Sequence, residues 1–170
     1  MIDVAVQFES PWPDNEDWEA LAVRAARAAI ERTPQAAWLT GTAVIEIAVR
    51  LTSDDEVQAL NRQYRGKDRP TNVLSFPMVQ PDLLDAVTQG SDDGEVLLGD
   101  IVLAHGVCAA EAAAEGKSVA DHATHLIVHG TLHLLGHDHG DEAEAEAMEE
   151  LERAALATLG IADPYLIRED

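Results

Sequence analysis

Cations are what this sequence most lacks. Eleven lysines and arginines face thirty-two aspartates and glutamates, a formal charge of −21 over 170 residues. A protein that holds nucleic acid over a broad surface does so through many phosphate contacts, and this balance excludes that mode. Aromatic residues are also scarce, at 4%, so the core is expected to be aliphatic and rich in alanine. No apolar run reaches the roughly 18 residues that would suggest a membrane span. The first residues, Met1 to Phe8, lack a basic n-region and read as a strand, not a signal peptide. A single cysteine, Cys108, leaves no internal disulfide; it lies in an apolar helical run and reads as a small buried residue of a cytoplasmic protein.

What is present is ordinary globular material, with 46% hydrophobic and 25% charged residues. A chain of this length buries about 70% of its unfolded surface as one unit, so residues 1–170 are expected to form a single domain. Ile2 to Phe8 reads as a strand, stopped by Pro11 and Pro13. A helix follows from about Glu16 to Arg32, capped by Asp14 or Asn15, with Trp18, Leu21, Ala22, Ala25 and Ala29 as its apolar stripe. Ala43 to Leu51 is rich in β-branched residues and gives the strongest strand signal. Thr52 or Ser53 caps the next helix, whose buried side is read as Val57, Leu60 and Tyr64 and which Gly66 ends.

Thr71 to Pro77 reads as a short strand, residues 78–98 as a loop or loose hairpin, and Gly99 to Ala104 as another strand. Helices are expected over Val107–Glu115, Val119–Leu135 (capped by Ser118) and Glu142–Leu159. The last carries Met148, Leu151, Ala155 and Leu159 inward, and its glutamates read as a solvated outer face. Strands alternating with helices predict an α/β (α+β) fold: one mixed sheet of about four to five strands, packed by helices.

The chemistry gathers in residues 129 to 139, His-Gly-Thr-Leu-His-Leu-Leu-Gly-His-Asp-His. On a helix, His129 and His133 project from one face, about 6 Å apart at Cβ. That lets two ring nitrogens reach one zinc ion at about 2.0–2.1 Å. Gly136 turns the chain, and His139 swings back towards the same ion. Three imidazoles leave one tetrahedral position open, as catalytic zinc sites do. His137 competes for the third place, but His139 has the spacing of the zinc-peptidase pattern H-E-x-x-H-x-x-G-x-x-H. Gly130 stands where that pattern has its glutamate base, so peptide hydrolysis is disfavoured. His125, one turn earlier, reads as a supporting or packing residue, Asp138 as an acceptor orienting a ligand, and His122 and His105 as ordinary.

Scarce as cations are, Arg62, Arg65, Lys67 and Arg69 fall within eight positions. Residue chemistry alone leaves two readings open, a solvated helix end favoured by the helix dipole or a phosphate-facing rim. Four blocks then resemble one family. They are Asn61-Arg-Gln-Tyr-Arg-Gly-Lys-Asp-Arg-Pro, Thr71-Asn-Val-Leu-Ser-Phe-Pro, Leu98-Gly-Asp-Ile and the histidine block. In these the chain is similar to the YbeY-type endoribonucleases, bacterial rRNA maturation factors. One departure is His137, where many relatives have tyrosine.

The resemblance implies a cytoplasmic, zinc-dependent, single-strand-specific endoribonuclease that matures the 3′ end of 16S rRNA and serves ribosome quality control. It implies His129, His133 and His139 as zinc ligands and Arg65 as the functional basic residue, with Arg62, Lys67 and Arg69 towards the RNA. Small-subunit ribosomal proteins and a ribosome-associated GTPase are the implied partners. The competing expectations are a non-catalytic assembly factor with structural zinc and an atypical metallopeptidase.

Overall fold

The computed structural model describes residues 1–86, 95–138 and 140–165. The first strand, β1 (Ile2–Phe8), leads to α1 (Trp18–Glu31). The cap of α1 is Asp17, whose carboxylate accepts from the Ala20 amide at 3.0 Å, and not the expected Asp14 or Asn15. This later start places Trp18 at the first helical position, where its ring is buried. All five residues of the predicted stripe are buried. A 3₁₀ turn, Ala36–Leu39, carries the chain to β2 (Val44–Thr52) and α2 (Asp54–Arg65). Ser53 caps α2 by accepting from the Glu56 amide, and Gly66 closes it at φ +70°, where only glycine sits without strain.

Next come β3 (Val73–Pro77), a 3₁₀ turn over Pro81–Ala86, and β4 (Glu95–Ala104). This last strand begins four residues before its predicted start, because Glu95, Val96 and Leu97 pair with Val44, Ile45 and Glu46. A register shift between Glu46 and Ile47 sets off this extra segment, and such irregularities break the alternation that a sequence reading follows. The chain ends in α3 (His105–Glu115), α4 (Val119–Leu134) and α5 (Glu142–Thr158).

The four strands form one mixed sheet in the order β1-β2-β4-β3, within the four to five expected. The β1–β2 and β2–β4 pairs are parallel, and β3 lies antiparallel to β4 at the edge. Strand alternation sends Ile45, Ile47, Val49 and Leu51 to one face, where they join Ile30, Ile127 and Met148 in the main core. On the other face Val57 of α2 covers Leu74 and Val102 at one end of the sheet. The rest of that face carries Gln7, Ala48, Arg50, Phe76 and Asp100 and opens as a groove of about 870 Å³.

Close packing of α4 on the sheet places the site. A Cβ at Gly130 would lie 2.8 Å from Ile101 Cγ2 and 3.1 Å from Ser75 Oγ. No side chain fits between this turn of the helix and strands β3 and β4, so the absent glutamate has a packing cause. The predicted zinc-bearing helix does lie against the sheet, with Gly130 facing inward and His129 and His133 towards the cleft beside β3. Cys108 is fully buried, and burial pushes its thiol up to about 12, which keeps it protonated and inert. Among the described residues no helix is long and apolar enough to cross a membrane.

Candidate metal and nucleic-acid site

Ser118 starts α4 by accepting from the Asp121 amide at 3.0 Å. Sixteen helical residues later the chain reverses at Gly136, φ +90°. The Gly136 amide donates to His133 and the His137 amide to Leu132, satisfying carbonyls that would otherwise be orphaned. The helix holds His129 and His133 on one face with their Nε2 atoms 3.0 Å apart. Two zinc–nitrogen bonds of about 2.0–2.1 Å at a tetrahedral angle need nitrogens roughly 3.3 Å apart. A small rotation of either ring supplies the difference, so the pair fits a bidentate site.

The other nitrogen of His129 is held from α5. Glu152 Oε1 lies 2.6 Å from His129 Nδ1 and 3.3 Å from His125 Nε2, and Glu152 Oε2 accepts from the Tyr165 hydroxyl at 2.6 Å. Glu152 is 0% exposed. Burial alone would raise its pKa, but the hydrogen bonds from His125, His129 and Tyr165 outweigh it and hold the group well below the usual carboxylate range. An ionised carboxylate only accepts, so His129 carries its proton on Nδ1 and presents the Nε2 lone pair to the cleft.

This corrects the reading of the α5 glutamates as a solvated face. At His129 the orienting acceptor is Glu152; Asp138, expected to orient a ligand, sits at the exposed rim of the cleft. One local signal existed: Glu152 stands four residues after Met148 and three before Ala155, on the buried stripe. Tyr165 carried no signal at all.

His129, His133 and His137 line a cleft of about 540 Å³ with Asn72, Ser75, Asp138 and Arg65. His137 is pushed below its ordinary pKa by burial. The predicted third ligand, His139, lies outside the described residues. Among the described residues no group of three or more potential ligands forms a metal cage; what they bring together is the histidine pair. His125 is buried and supports Glu152, as expected of a supporting residue. His122 is buried against Glu111, 2.8 Å from Nε2, and His105 packs edge-on to Trp12.

The basic cluster divides. Arg65 lines the histidine cleft, while Lys67 and Arg69 line an adjoining cleft of about 390 Å³ that also includes Arg65 and Asn72. Arg62 is exposed and lines neither of these clefts. Buried Asn61 organises this loop, its Nδ2 donating to the Arg69 carbonyl at 2.9 Å and its backbone carbonyl accepting from the Lys67 amide. Asn72 accepts from the Val73 amide and donates to Glu111 at 3.0 Å. The asparagines of the first two blocks therefore shape the loop and the start of β3. Tyr64, expected on the buried side of α2, is 62% exposed.

These features define a class: a mixed α/β protein whose sheet-backed helix presents a braced histidine pair to a cleft that an arginine also lines. The residues 12–160 match the family model described as endoribonuclease YbeY. Curated relatives named endoribonuclease YbeY include one from Rhizorhabdus wittichii, 66% identical over 170 residues and covering 100% of both chains. Another, from Sphingopyxis alaskensis, is 58% identical over 97% of this chain and 98% of its own. A third, from Novosphingobium aromaticivorans, is 53% identical over 96% of each. A solution structure of a Thermotoga maritima protein shares the fold with a TM-score of 0.52 at 21% identity, covering 97% of this chain and 100% of its own. The chain belongs to the YbeY family of endoribonucleases.

Proposed function

We propose that the chain works as a single-domain, zinc-dependent endoribonuclease specific for single strands, acting in the cytoplasm on the 3′ end of 16S rRNA and in ribosome quality control. The observation that carries the reading is the histidine pair, braced through His129 by Glu152, opening on the same cleft as Arg65. His129 and His133 would hold the ion, with His139 as the third ligand. Zinc, when bound, supplies a Lewis acid that acidifies water and polarises a phosphoryl oxygen.

The chain's own residues supply the rest. Glu152 fixes the tautomer of His129 and holds its ring, so only a small rotation separates the pair from a bidentate geometry. Arg65 donates in parallel to two phosphate oxygens and offsets the charge that builds as the phosphodiester is attacked. Lys67 and Arg69, in the adjoining cleft, take flanking phosphates, with Arg62 further out. With a net charge of −21, this local cluster gives only a weak grip on free RNA. Small-subunit ribosomal proteins and a ribosome-associated GTPase, as the family resemblance suggests, would deliver the substrate. No membrane partner is proposed.

The test is cleavage of a short single-stranded RNA by zinc-loaded protein, beside His129→Ala, Arg65→Ala and a chelated control. Cleavage lost in all three, with zinc retained by Arg65→Ala, is the expected result. Full cleavage by Arg65→Ala would remove that residue from the mechanism. A silent parent that still binds zinc would favour a non-catalytic assembly role.

A further inference from the structure

Three aromatic residues, Trp12, Trp18 and Trp38, are core, and the Tyr165 hydroxyl is bonded to Glu152. Tyr64 behaves differently. It leaves 62% of its surface in water at the end of α2, next to Arg65, although the helix could have placed a polar residue there. Its ring stands edge-on to Phe76 of β3, with centroids 5.3 Å apart. Met78, 60% exposed, lines the same groove, so Tyr64, Phe76 and Met78 form an apolar shelf at the margin of the open sheet face.

This shelf connects to the histidine cleft. Arg65, Ser75 and Pro77 line both the sheet-face groove and the cleft of His129 and His133. The two depressions thus share edge strand β3, through Ser75 and Pro77, and Arg65. A phosphate held by Arg65 therefore leaves the neighbouring nucleotide at the groove. On the groove floor the Arg50 charge is taken up by Glu56 and Glu9 and Asp100 adds a negative charge, so among the described residues the floor holds no uncommitted cation for a phosphate, while the shelf offers a ring to a base.

We propose that Tyr64 is a stacking platform for the unpaired base that flanks the phosphate held by Arg65, with Phe76 supporting its ring. The proposal rests on the endoribonuclease reading and deepens it. Only an unpaired base can leave its neighbours to lie on the tyrosine, so the shelf is a physical source of single-strand preference. Base–aromatic stacking accepts every base, and the shelf selects for strand state without selecting for sequence. Tyr64 is a positioning residue here, since it touches the base and not the reacting phosphate.

The experiment measures binding and cleavage of a short single-stranded RNA by zinc-loaded parent, Tyr64→Ala and Tyr64→Phe, with circular dichroism as the fold control. The probe set includes strands made abasic at one position at a time. Tyr64→Ala is expected to raise Kd and KM roughly 5- to 150-fold, the range of one lost stack, with kcat little changed. Tyr64→Phe keeps the ring and should stay near the parent. One abasic position should weaken binding to the parent and abolish the difference between parent and Tyr64→Ala. If the parent cleaves but Tyr64→Ala binds and cleaves equally well, the platform is overturned while the endoribonuclease reading stands. If the parent neither binds nor cleaves single-stranded RNA, both fall.

Discussion

Replacing Glu152 by glutamine tests how the site is braced. The carboxylate accepts from His129 Nδ1 and from Tyr165, each at 2.6 Å, and lies 3.3 Å from His125 Nε2. Glutamine keeps the volume but replaces one accepting oxygen by an amino group. Either His129 or Tyr165 then faces a donor instead of an acceptor. If Tyr165 keeps the oxygen, His129 Nδ1 loses this acceptor and the ring is no longer held in one tautomer. A buried group left unpaired costs about 1–3 kcal/mol, and loss of the outer partner of a metal-bound histidine typically costs 10–100-fold in metal affinity. Glu152→Gln should therefore bind zinc 10–100-fold more weakly in competition with a chromophoric chelator. In chelator the metal-free variant should unfold about 1–3 kcal/mol more easily. Glu152→Ala leaves every donor unpaired and approaches the roughly 3–5 kcal/mol of a broken buried pair. Zinc affinity equal to the parent's in a folded Glu152→Gln protein would refute the brace.

Two other perturbations follow from the packing. In Gly130→Ala the new methyl meets Ile101 Cγ2 at 2.8 Å and Ser75 Oγ at 3.1 Å; overpacking costs about 1–3 kcal/mol against a helix-propensity gain of about 1. A net loss of up to about 2 kcal/mol is expected in urea unfolding, and a stability above the parent's would refute the close approach. His122 is buried, which lowers its pKa despite the opposing pull of Glu111 and Glu115; Lys117 lowers it further. The unfolded chain therefore takes up this proton first, near the ordinary histidine value of about 6.5, and stability from this group falls as pH drops below that point. His122→Gln should flatten the pH dependence of unfolding between pH 7 and 5, and an unchanged slope would sink the assignment.

The sequence made legible what local periodicity encodes. His129 and His133 announce themselves by a four-residue spacing inside an apolar helix, and the structure turns both to one cleft. Helix α1 was legible because its apolar residues recur at helical spacing and are buried against β1, α4 and α5, though its cap was misplaced by a few residues. Strand β4 was truncated because a register irregularity interrupts its alternation, and the placement of β3 antiparallel at the sheet edge is a long-range choice with no local signature. Tyr64 was assigned to the core because it follows Leu60 by four residues. The periodicity is genuine, but the packing that covers Val57 does not extend to the end of the helix.

Glu152 failed to be read for the opposite reason. Its partners lie 23 and 13 residues away, and in a helix so rich in glutamate one buried carboxylate looks like the rest. Gly130 shows how a correct inference can rest on half its cause. Reading the pattern, a missing glutamate means a missing base. In the fold, the same position has no room even for a methyl group between α4 and the Ile101–Ser75 surface. Restoring the glutamate would not restore peptidase chemistry, because the side chain would enter the sheet and not the cleft. The helix approaches the sheet closely enough to bring His129 and His133 alongside β3, where Arg65 shares their cleft. The glycine that permits this approach is therefore part of how the site is built.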